Sequence, residues 1–211
     1  MSAILTGGVH LKKQYQEIKE IFAKNNWYAK TKDIIEAGIH TSHLYQMESK
    51  NMITKIKRGL YKWNGEEVDS ESEWIEVSKI IPHGVVCLIS ALDYYEITTH
   101  SSWEYYIAIH RDARKPVLPD YPPIRTFYFS KKQFETGIKE EKINGVKFKI
   151  YDLEKTICDL LRLRNKIGMD IAKDALQEYL KRRDRNISKL LNYADIIGIS
   201  NLMEKYLEVL V

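Results

Sequence analysis

A run of polar side chains between positions 42 and 50 has the chemistry needed to hydrogen-bond to DNA bases. The surrounding segment, TSHLYQMESKN, predicts a helix that Thr41 can cap. Leu44 and Met47 are three residues apart, so they share the face that would be buried. Hydroxyl, imidazole and amide groups on the opposite face can bond to base edges in the major groove. The outward candidates are Ser42, His43, Tyr45 and Gln46, with Lys50 as a phosphate contact.

The residues before this segment predict two further helices separated by a turn. Apolar residues recur at helical spacing from position 11 to position 22, and Asn25 and Asn26 then interrupt the pattern. Thr31 can cap a short second helix, TKDIIEA, and Gly38 follows its end, where glycine readily adopts a left-handed turn. A short helix, a glycine turn and a helix with a polar outer face are typical of a helix-turn-helix.

The segment MITKIKRGLYKW predicts a β-hairpin with a cationic tip. Apolar residues alternate with basic ones, and Arg58-Gly59 stands at the centre as a turn. A hairpin after the third helix would be the wing of a winged helix-turn-helix, in which Lys55, Lys57 and Arg58 neutralise phosphates. The alternative is a helix–hairpin module that binds protein and whose lysines are merely solvated.

The formal net charge of +4 is unevenly distributed along the 211 residues. Residues 1–64 hold 11 Lys and Arg against 5 Asp and Glu, residues 65–130 hold 5 against 11, and residues 131–211 hold 17 against 13. A basic amino-terminal segment beside an acidic one suggests that different parts meet different partners. The domain organisation that we predict is a winged helix-turn-helix over 1–64, a connecting helix over 65–81 and an α+β body over 82–211.

Composition and short motifs argue against several classes of protein. The 44% of hydrophobic residues can build a core, and no apolar run approaches the roughly 18 residues of a membrane-spanning helix. The amino terminus lacks a secretory pattern, so we expect a cytoplasmic protein. Cys87 and Cys158 are far apart, which excludes a zinc site built on cysteines. His40 and His43 have a spacing that can share a metal, but no third ligand is near, so exposed polar residues are the preferred interpretation.

The acidic excess of the middle segment is concentrated in the connecting helix, where Ser70 and Glu73 have the spacing of a capping box. A solvated face explains this charge adequately. In the body, GVVCLISALDYYEIT predicts a largely buried helix, and residues 105–110 and 124–130 predict strands. Asn144-Gly145 between two alternating runs indicates a hairpin, and Asp152 can cap a helix after it. Helices are expected from there to the carboxyl end, which makes the fold class α+β.

Basic residues in the carboxy-terminal helices have two interpretations. Cations near the carboxyl ends of helices are stabilised by the helix dipole. The alternative is a second surface for a polyanion or an acidic partner, because the run KRRDR exceeds what ending a helix requires. The residues concerned are Arg162, Arg164, Lys166, Lys181, Arg182, Arg183 and Arg185.

Motifs of catalysis are absent from the sequence, which contains no GxxxxGK[ST], GxGxxG, GxSxG or HExxH pattern. Asp152, Glu154 and Asp159 are carboxylates on one predicted helix, and capping and solvation explain them more simply than acid–base chemistry. We therefore expect no catalytic residue, no metal and no cofactor. A nuclease-like or transferase body remains an alternative.

In its order of features the chain resembles the AbiEi antitoxins of type IV toxin–antitoxin systems, proteins associated with bacterial abortive infection by phage. The matching segments are the wing with its RGLY step, the helix VVCLISALDYYEIT, and KIYDLEKTICDLLRLRNKIGMDIAKDAL. With the helix-turn-helix they extend from about residue 12 to residue 185. The sequence lacks the GS-plus-paired-carboxylate pattern of a nucleotidyltransferase, so it resembles the antitoxin rather than the toxin.

The resemblance implies a function in two parts. The winged helix would repress its own operon by binding inverted repeats in the promoter, with the outward residues of the third helix and Lys55, Lys57 and Arg58 as operator contacts. The carboxy-terminal domain would counteract a nucleotidyltransferase toxin without forming a stable complex with it. The alternative is a winged-helix transcription regulator with a ligand-sensing or oligomerising carboxy-terminal domain.

Overall fold

The computed structural model describes residues 3–65, 72–97 and 102–210. Within these ranges the chain has a mixed α+β fold with eleven helices and two sheets. The chain divides into two compact units, one comprising Met1–Ile80 with Val117–Tyr121 and the other Ile81–Pro116 with Pro122–Val211. None of the helices in the described ranges has the length and apolar character that crossing a membrane requires.

The described residues of the first unit form four helices and a small antiparallel sheet. In chain order its elements are α1 (Ala3–Lys24), β1 (Tyr28–Lys30), α2 (Thr31–Glu36), α3 (Ser42–Ser49), β2 (Ile53–Lys57), β3 (Leu60–Trp63) and α4 (Ser72–Ile80). The strands lie in the order β1-β3-β2. The β2–β3 hairpin therefore pairs through β3 with β1, a strand that precedes both α2 and α3 in the chain.

The core of the first unit gathers the apolar faces of its helices, as the sequence spacing predicts. Ile18 and Phe22 of α1 pack with Leu44 and Met47 of α3 in one buried cluster. Trp63 of β3 joins the cluster through an edge-to-face contact with Phe22, at 5.4 Å between the ring centroids. Burying four such side chains stabilises the unit by several kcal/mol, at about 1.5–3 kcal/mol each. The face of α3 opposite Leu44 and Met47 is therefore directed away from this core.

Two of the predicted helix caps differ from those in the structure. Thr31 is the first residue of α2 rather than its cap, and the Asp33 carboxylate instead accepts the Lys30 backbone N–H at 2.8 Å. Thr41 precedes α3 as predicted, but its side chain makes no capping hydrogen bond. His40 takes that role, because its Nδ1 atom lies 3.2 Å from the Ser42 backbone nitrogen.

The hairpin predicted for residues 52–63 is confirmed. Lys57 pairs with Leu60, and Arg58-Gly59 forms the two-residue turn between the strands. Gly59 has a φ of +82°, a conformation that costs glycine little and other residues much more. The register of β2 shifts between Lys55 and Lys57, so the strand is irregular just before the turn. The tip of the hairpin is cationic, as expected.

The second unit combines a five-stranded sheet with seven helices among the described residues. In chain order these are β4 (Val85–Val86), α5 (Leu88–Tyr94), β5 (Tyr105–His110), β6 (Ile124–Phe129), α6 (Lys131–Glu135), β7 (Ile138–Ile143), β8 (Val146–Tyr151), α7 (Leu153–Arg162), α8 (Arg164–Ile167), α9 (Met169–Lys181), α10 (Ile187–Ile197) and α11 (Ser200–Leu210). The strand order is β6-β5-β4-β8-β7. Helix α7 occupies the middle of the unit and packs against α5, α9 and α10.

The prediction of one continuous helix over 84–98 is wrong in its first part. Val85 and Val86 form the short strand β4, and the helix α5 begins only at Leu88. Both valines are buried at the centre of the sheet, where β4 pairs with β5 and β8. Tertiary burial therefore decides the conformation here, since β-branched side chains fit a sheet better than a helix. Cys87 precedes the helix and remains a buried core residue, as expected.

Several other predictions for the second unit are confirmed. Strands β5 and β6 coincide with the two aromatic-rich segments, and Asn144-Gly145, both with positive φ, joins β7 to β8. Asp152 caps α7 by accepting the Lys155 backbone N–H at 2.9 Å. Helix α4 extends over Ser72–Ile80 within the described residues, and both the predicted start of this helix near residue 66 and its predicted cap at Ser70 lie outside them.

Candidate nucleic-acid interface

The outer face of α3 presents polar side chains to solvent. Tyr45 is 62% exposed, and Gln46 and Lys50 are also exposed. Ser42 is half-buried, and its hydroxyl lies 2.8 Å from Nδ1 of His40. The face therefore combines a hydroxyl, an amide and an ammonium group, all of which can hydrogen-bond to a polar ligand.

Tyr15 of α1 contacts this face directly. Its hydroxyl donates to Oε1 of Gln46 at 3.2 Å, and the Lys50 ammonium donates to the same hydroxyl at 3.5 Å. The Lys50 nitrogen also lies 5.2 Å from the centre of the Tyr15 ring, within the range of a cation–π contact. Sequence reasoning missed Tyr15, because these partners are 31 and 35 residues away in the chain.

The expectation that His43 points outward is wrong. His43 is half-buried, and its ring packs edge-on against Tyr15 with 6.2 Å between ring centroids. Its Nδ1 atom is buried and has no hydrogen-bond partner among the described residues. The reason is the position of α1, which covers the first turn of α3 on this side. In the described ranges no group of three His, Cys, Asp or Glu residues has the arrangement of a metal site.

The three cations of the hairpin lie in two different environments. Lys55 and Arg58 are exposed, but Lys57 is half-buried and donates from Nζ to the carbonyl oxygen of Ile80 at 2.5 Å. Burial and the nearby Lys30 lower the pKa of Lys57 below its ordinary value. Ile80 ends α4, where helix carbonyls lack helical partners and attract cations. Lys57 therefore binds a helix end, whereas we had expected a side chain free to contact a phosphate.

Helix α4 covers part of the small sheet through a buried carboxylate. Glu76 is 5% exposed and accepts hydrogen bonds from the Tyr28 hydroxyl at 2.8 Å and the Lys62 ammonium at 3.0 Å. Burial and the Glu76 charge together raise the pKa of Tyr28. We expected the acidic residues of this segment to be solvated, and this expectation is wrong for Glu76. Glu73 is also engaged, since it accepts a hydrogen bond from Tyr121.

Most basic residues proposed as a second polyanion surface have partners within their own unit. Arg162 contacts the buried Asp159 at 3.1 Å, Arg182 contacts Asp184 at 2.8 Å and Lys181 contacts Glu178 at 2.6 Å. Two further guanidinium groups donate to backbone carbonyls, that of Arg164 to Leu161 and that of Arg185 to Arg182. Lys166 and Arg183 are exposed. Five of these seven side chains are therefore engaged by partners two or three residues away in the chain.

Helix α7 buries a charged network where we expected solvated carboxylates. Lys155 and Asp159 are fully buried, one helical turn apart, and form an ion pair that Arg162 extends. Burial lowers the pKa of Lys155, and the Asp159 charge opposes that shift. The Lys155 ammonium also lies 4.2 Å from the centre of the Tyr151 ring. An i, i+4 spacing of opposite charges was a signal for this pair, although not for its burial.

A second set of charges joins the start of α7 to α9 and α10. Lys189 lies 3.0 Å from Asp152 and 2.9 Å from Glu154, and the Tyr179 hydroxyl donates to Glu154 at 3.0 Å. Burial alone would raise the pKa of Glu154, but the hydrogen bonds from Lys189 and Tyr179 outweigh it and hold the pKa below its ordinary value. Burial and the nearby Asp152 raise the pKa of Tyr193 to about 12. These contacts join the start of α7 to α9 and α10 through the buried carboxylates of Asp152 and Glu154.

Comparison with known proteins assigns no family to this chain. No protein-family model matches it, and no curated protein is significantly similar to it.

Proposed function

We propose that the first unit is a winged helix-turn-helix that binds double-stranded DNA and that the chain is the antitoxin of a type IV toxin–antitoxin system. In this proposal α3 is the recognition helix, and the hairpin β2–β3 is the wing. The protein represses its own operon, counteracts a nucleotidyltransferase toxin in the cytoplasm and catalyses no reaction itself.

One observation carries the DNA-binding part of the proposal. The exposed polar face of α3 is followed directly by a hairpin whose exposed tip carries Lys55 and Arg58, and both belong to the same compact unit. Polar side chains on a helix can read base edges, and cations beside it can neutralise phosphates. The strand order β1-β3-β2 ties the hairpin to the helices, so both contacts are presented by one rigid element.

The antitoxin part of the proposal rests on the resemblance of the second unit to the AbiEi family. Its most telling stretch, YDLEKTICDLLR, contains the cap of α7 and the buried pair Lys155 and Asp159. This stretch is almost entirely buried, which supports a role in maintaining the fold of the unit. Antagonism of the toxin without a stable complex is likewise taken from this resemblance.

Binding to the promoter of its own operon tests the first part of the proposal. The full-length protein should bind a duplex taken from directly upstream of its gene, with an affinity that falls steeply as salt rises. A duplex of equal length from within the coding sequence serves as the control. Equal affinity for both duplexes at physiological salt would contradict operator binding.

Co-expression with the neighbouring gene tests the second part. If the downstream gene encodes a nucleotidyltransferase that arrests growth, the full-length chain should relieve the arrest. A variant with Lys55→Ala and Arg58→Ala should still relieve it, because those changes affect only the DNA-binding unit. Promoter binding without any relief of arrest would favour the alternative, a regulator with a ligand-sensing or oligomerising carboxy-terminal domain.

A further inference from the structure

We propose that Tyr15 is a positioning residue that makes Gln46 a hydrogen-bond donor toward the DNA, so that Gln46 selects guanine rather than adenine. This inference deepens the proposed function and depends on it, since α3 must enter the major groove. It concerns the base preference at one position of the operator. The geometry that supports it is a chain of three side chains on α1 and α3.

The direction of hydrogen bonding along this chain follows from the chemistry of its members. A lysine ammonium can only donate, so the Tyr15 hydroxyl accepts from Lys50. The Tyr15 hydroxyl carries a single proton, and it directs this proton to Gln46 at 3.2 Å. The group of Gln46 that receives it must be the carbonyl oxygen Oε1, because the amide nitrogen does not accept. The structure therefore turns the carbonyl oxygen of the Gln46 amide toward Tyr15.

This orientation decides which groups of Gln46 are left for a ligand. The oxygen and nitrogen of the amide diverge from one carbon, so a carbonyl turned toward Tyr15 leaves the Nε2 donors directed elsewhere. Gln46 is exposed, and Nε2 has no hydrogen-bond partner within the described part of the chain. The side chain thus presents two N–H donors to solvent.

Because guanine and adenine present different donors and acceptors, this orientation of the Gln46 amide favours guanine. Guanine offers two acceptors in the major groove, N7 and O6, whereas adenine offers one acceptor beside one donor. A glutamine that reads adenine needs both its carbonyl and its amide nitrogen turned to the base. With Oε1 held by Tyr15, Gln46 meets guanine with the donors it has available. Gln46 lacks the free carbonyl oxygen that a contact with adenine also requires.

The position of Tyr15 is itself maintained by packing. Tyr15 lies on α1 beside the core of the first unit, and the edge-on ring of His43 contacts it at 6.2 Å between ring centroids. The phenol therefore has little freedom to turn away from Gln46. Replacing Tyr15 by phenylalanine keeps this packing and removes only the hydroxyl, so it isolates the orienting hydrogen bond.

Selection from a duplex library with 20 randomised base pairs tests the inference. Full-length wild type, Tyr15→Phe, Gln46→Ala and the double variant would each be selected at one salt concentration. Tyr128→Phe is the matched control, because Tyr128 is an exposed tyrosine of β6 in the other unit. We expect one position at which wild type and control prefer guanine over adenine by about tenfold, and at which Tyr15→Phe and Gln46→Ala reduce that preference to about twofold or less.

The double variant distinguishes positioning from a general loss of structure. If Tyr15 acts through Gln46, the double variant has the same base preference as Gln46→Ala, and the far-UV circular dichroism and urea-unfolding midpoint of Tyr15→Phe match those of wild type. A Gln46-dependent preference for adenine, or a guanine preference unchanged in Tyr15→Phe, would overturn the inference and leave DNA binding intact. A wild type that selects no sequence at all would instead refute the proposed function.

Discussion

The two compact units use the same kinds of basic residue in opposite ways. In the first unit Lys55 and Arg58 are exposed at the hairpin tip. In the second unit Lys155 is fully buried beside Asp159, and Lys189 lies between Asp152 and Glu154. Residues 1–64, which contain the hairpin, and residues 131–211, which contain Lys155 and Lys189, are both net basic. Charge counted along a chain therefore does not distinguish a surface for a polyanion from the internal electrostatics of a fold.

The difference has a physical cause in solvation. An exposed cation keeps its hydration and interacts weakly with nearby charges, so it remains available to phosphates. A buried cation has lost its hydration, so it must find a carboxylate or an aromatic ring inside the protein. Lys57 lies between these cases, since it is half-buried and bound to the Ile80 carbonyl. Changing one charge at a time in each environment tests whether solvation causes the difference.

The largest effect is expected from Asp159→Ala in the second unit. The change leaves the Lys155 ammonium buried without its carboxylate, which costs about 3–5 kcal/mol of unfolding free energy. Urea unfolding followed by circular dichroism measures this loss. The double change Lys155→Met with Asp159→Leu should recover most of the stability. If Arg58→Ala in the first unit destabilised the protein as strongly as Asp159→Ala, the contrast between the units would be wrong.

The next effect concerns the exposed cations of the hairpin. Lys55→Ala with Arg58→Ala should flatten the slope of log K against log salt for duplex DNA by about 1.8, because each phosphate contact contributes about 0.9. Fluorescence anisotropy over a range of salt concentrations measures the slope. The matched control is Lys181→Ala with Arg182→Ala, a pair of basic residues with acidic partners in the second unit. A slope that falls equally in the control would assign DNA contacts to both units.

A smaller effect is expected at Lys57. Lys57→Met removes a hydrogen bond to the Ile80 carbonyl but keeps most of the side-chain volume, so it should cost about 1 kcal/mol of unfolding free energy. The salt dependence of DNA binding should stay as in wild type, in contrast to Lys55→Ala. If Lys57→Met flattened the slope of log K against log salt and left stability unchanged, Lys57 would be a phosphate-contacting residue.

The smallest effect is expected from the titration of Glu154. Its pKa is lowered in the folded protein, so the ionised form stabilises the fold at and above the ordinary value of 4.5. This contribution is lost as the pH falls through the lowered value, so stability decreases in acid. Glu154→Gln should make unfolding free energy less dependent on pH below 4.5 than in wild type. Glu208→Gln, at an exposed glutamate of α11, is the control and should follow the wild-type pH dependence.

Local features of the chain were predictable because they depend on neighbouring residues alone. Arg58-Gly59 and Asn144-Gly145 are turns, and Asp152 caps α7, all from signals that extend over two to four residues. The burial of Leu44 and Met47 also follows from their helical spacing. By contrast, β4 was missed, because the pairing of Val86 with Ile107 and Ile150 depends on strands far away in the sequence.

Residue types and their spacing were enough to identify the residues that could carry chemistry, namely a polar helix face and a basic hairpin in direct succession. Which of those side chains stay exposed depends on how the helices and strands pack. Packing of α1 against α3 engages His43 and connects Tyr15 to Gln46, and packing of α4 on the sheet engages Lys57. These partners are separated by 23 to 31 residues, beyond the reach of any local spacing rule. Helix propensity and capping act within a turn, whereas solvation depends on everything that the fold brings into contact.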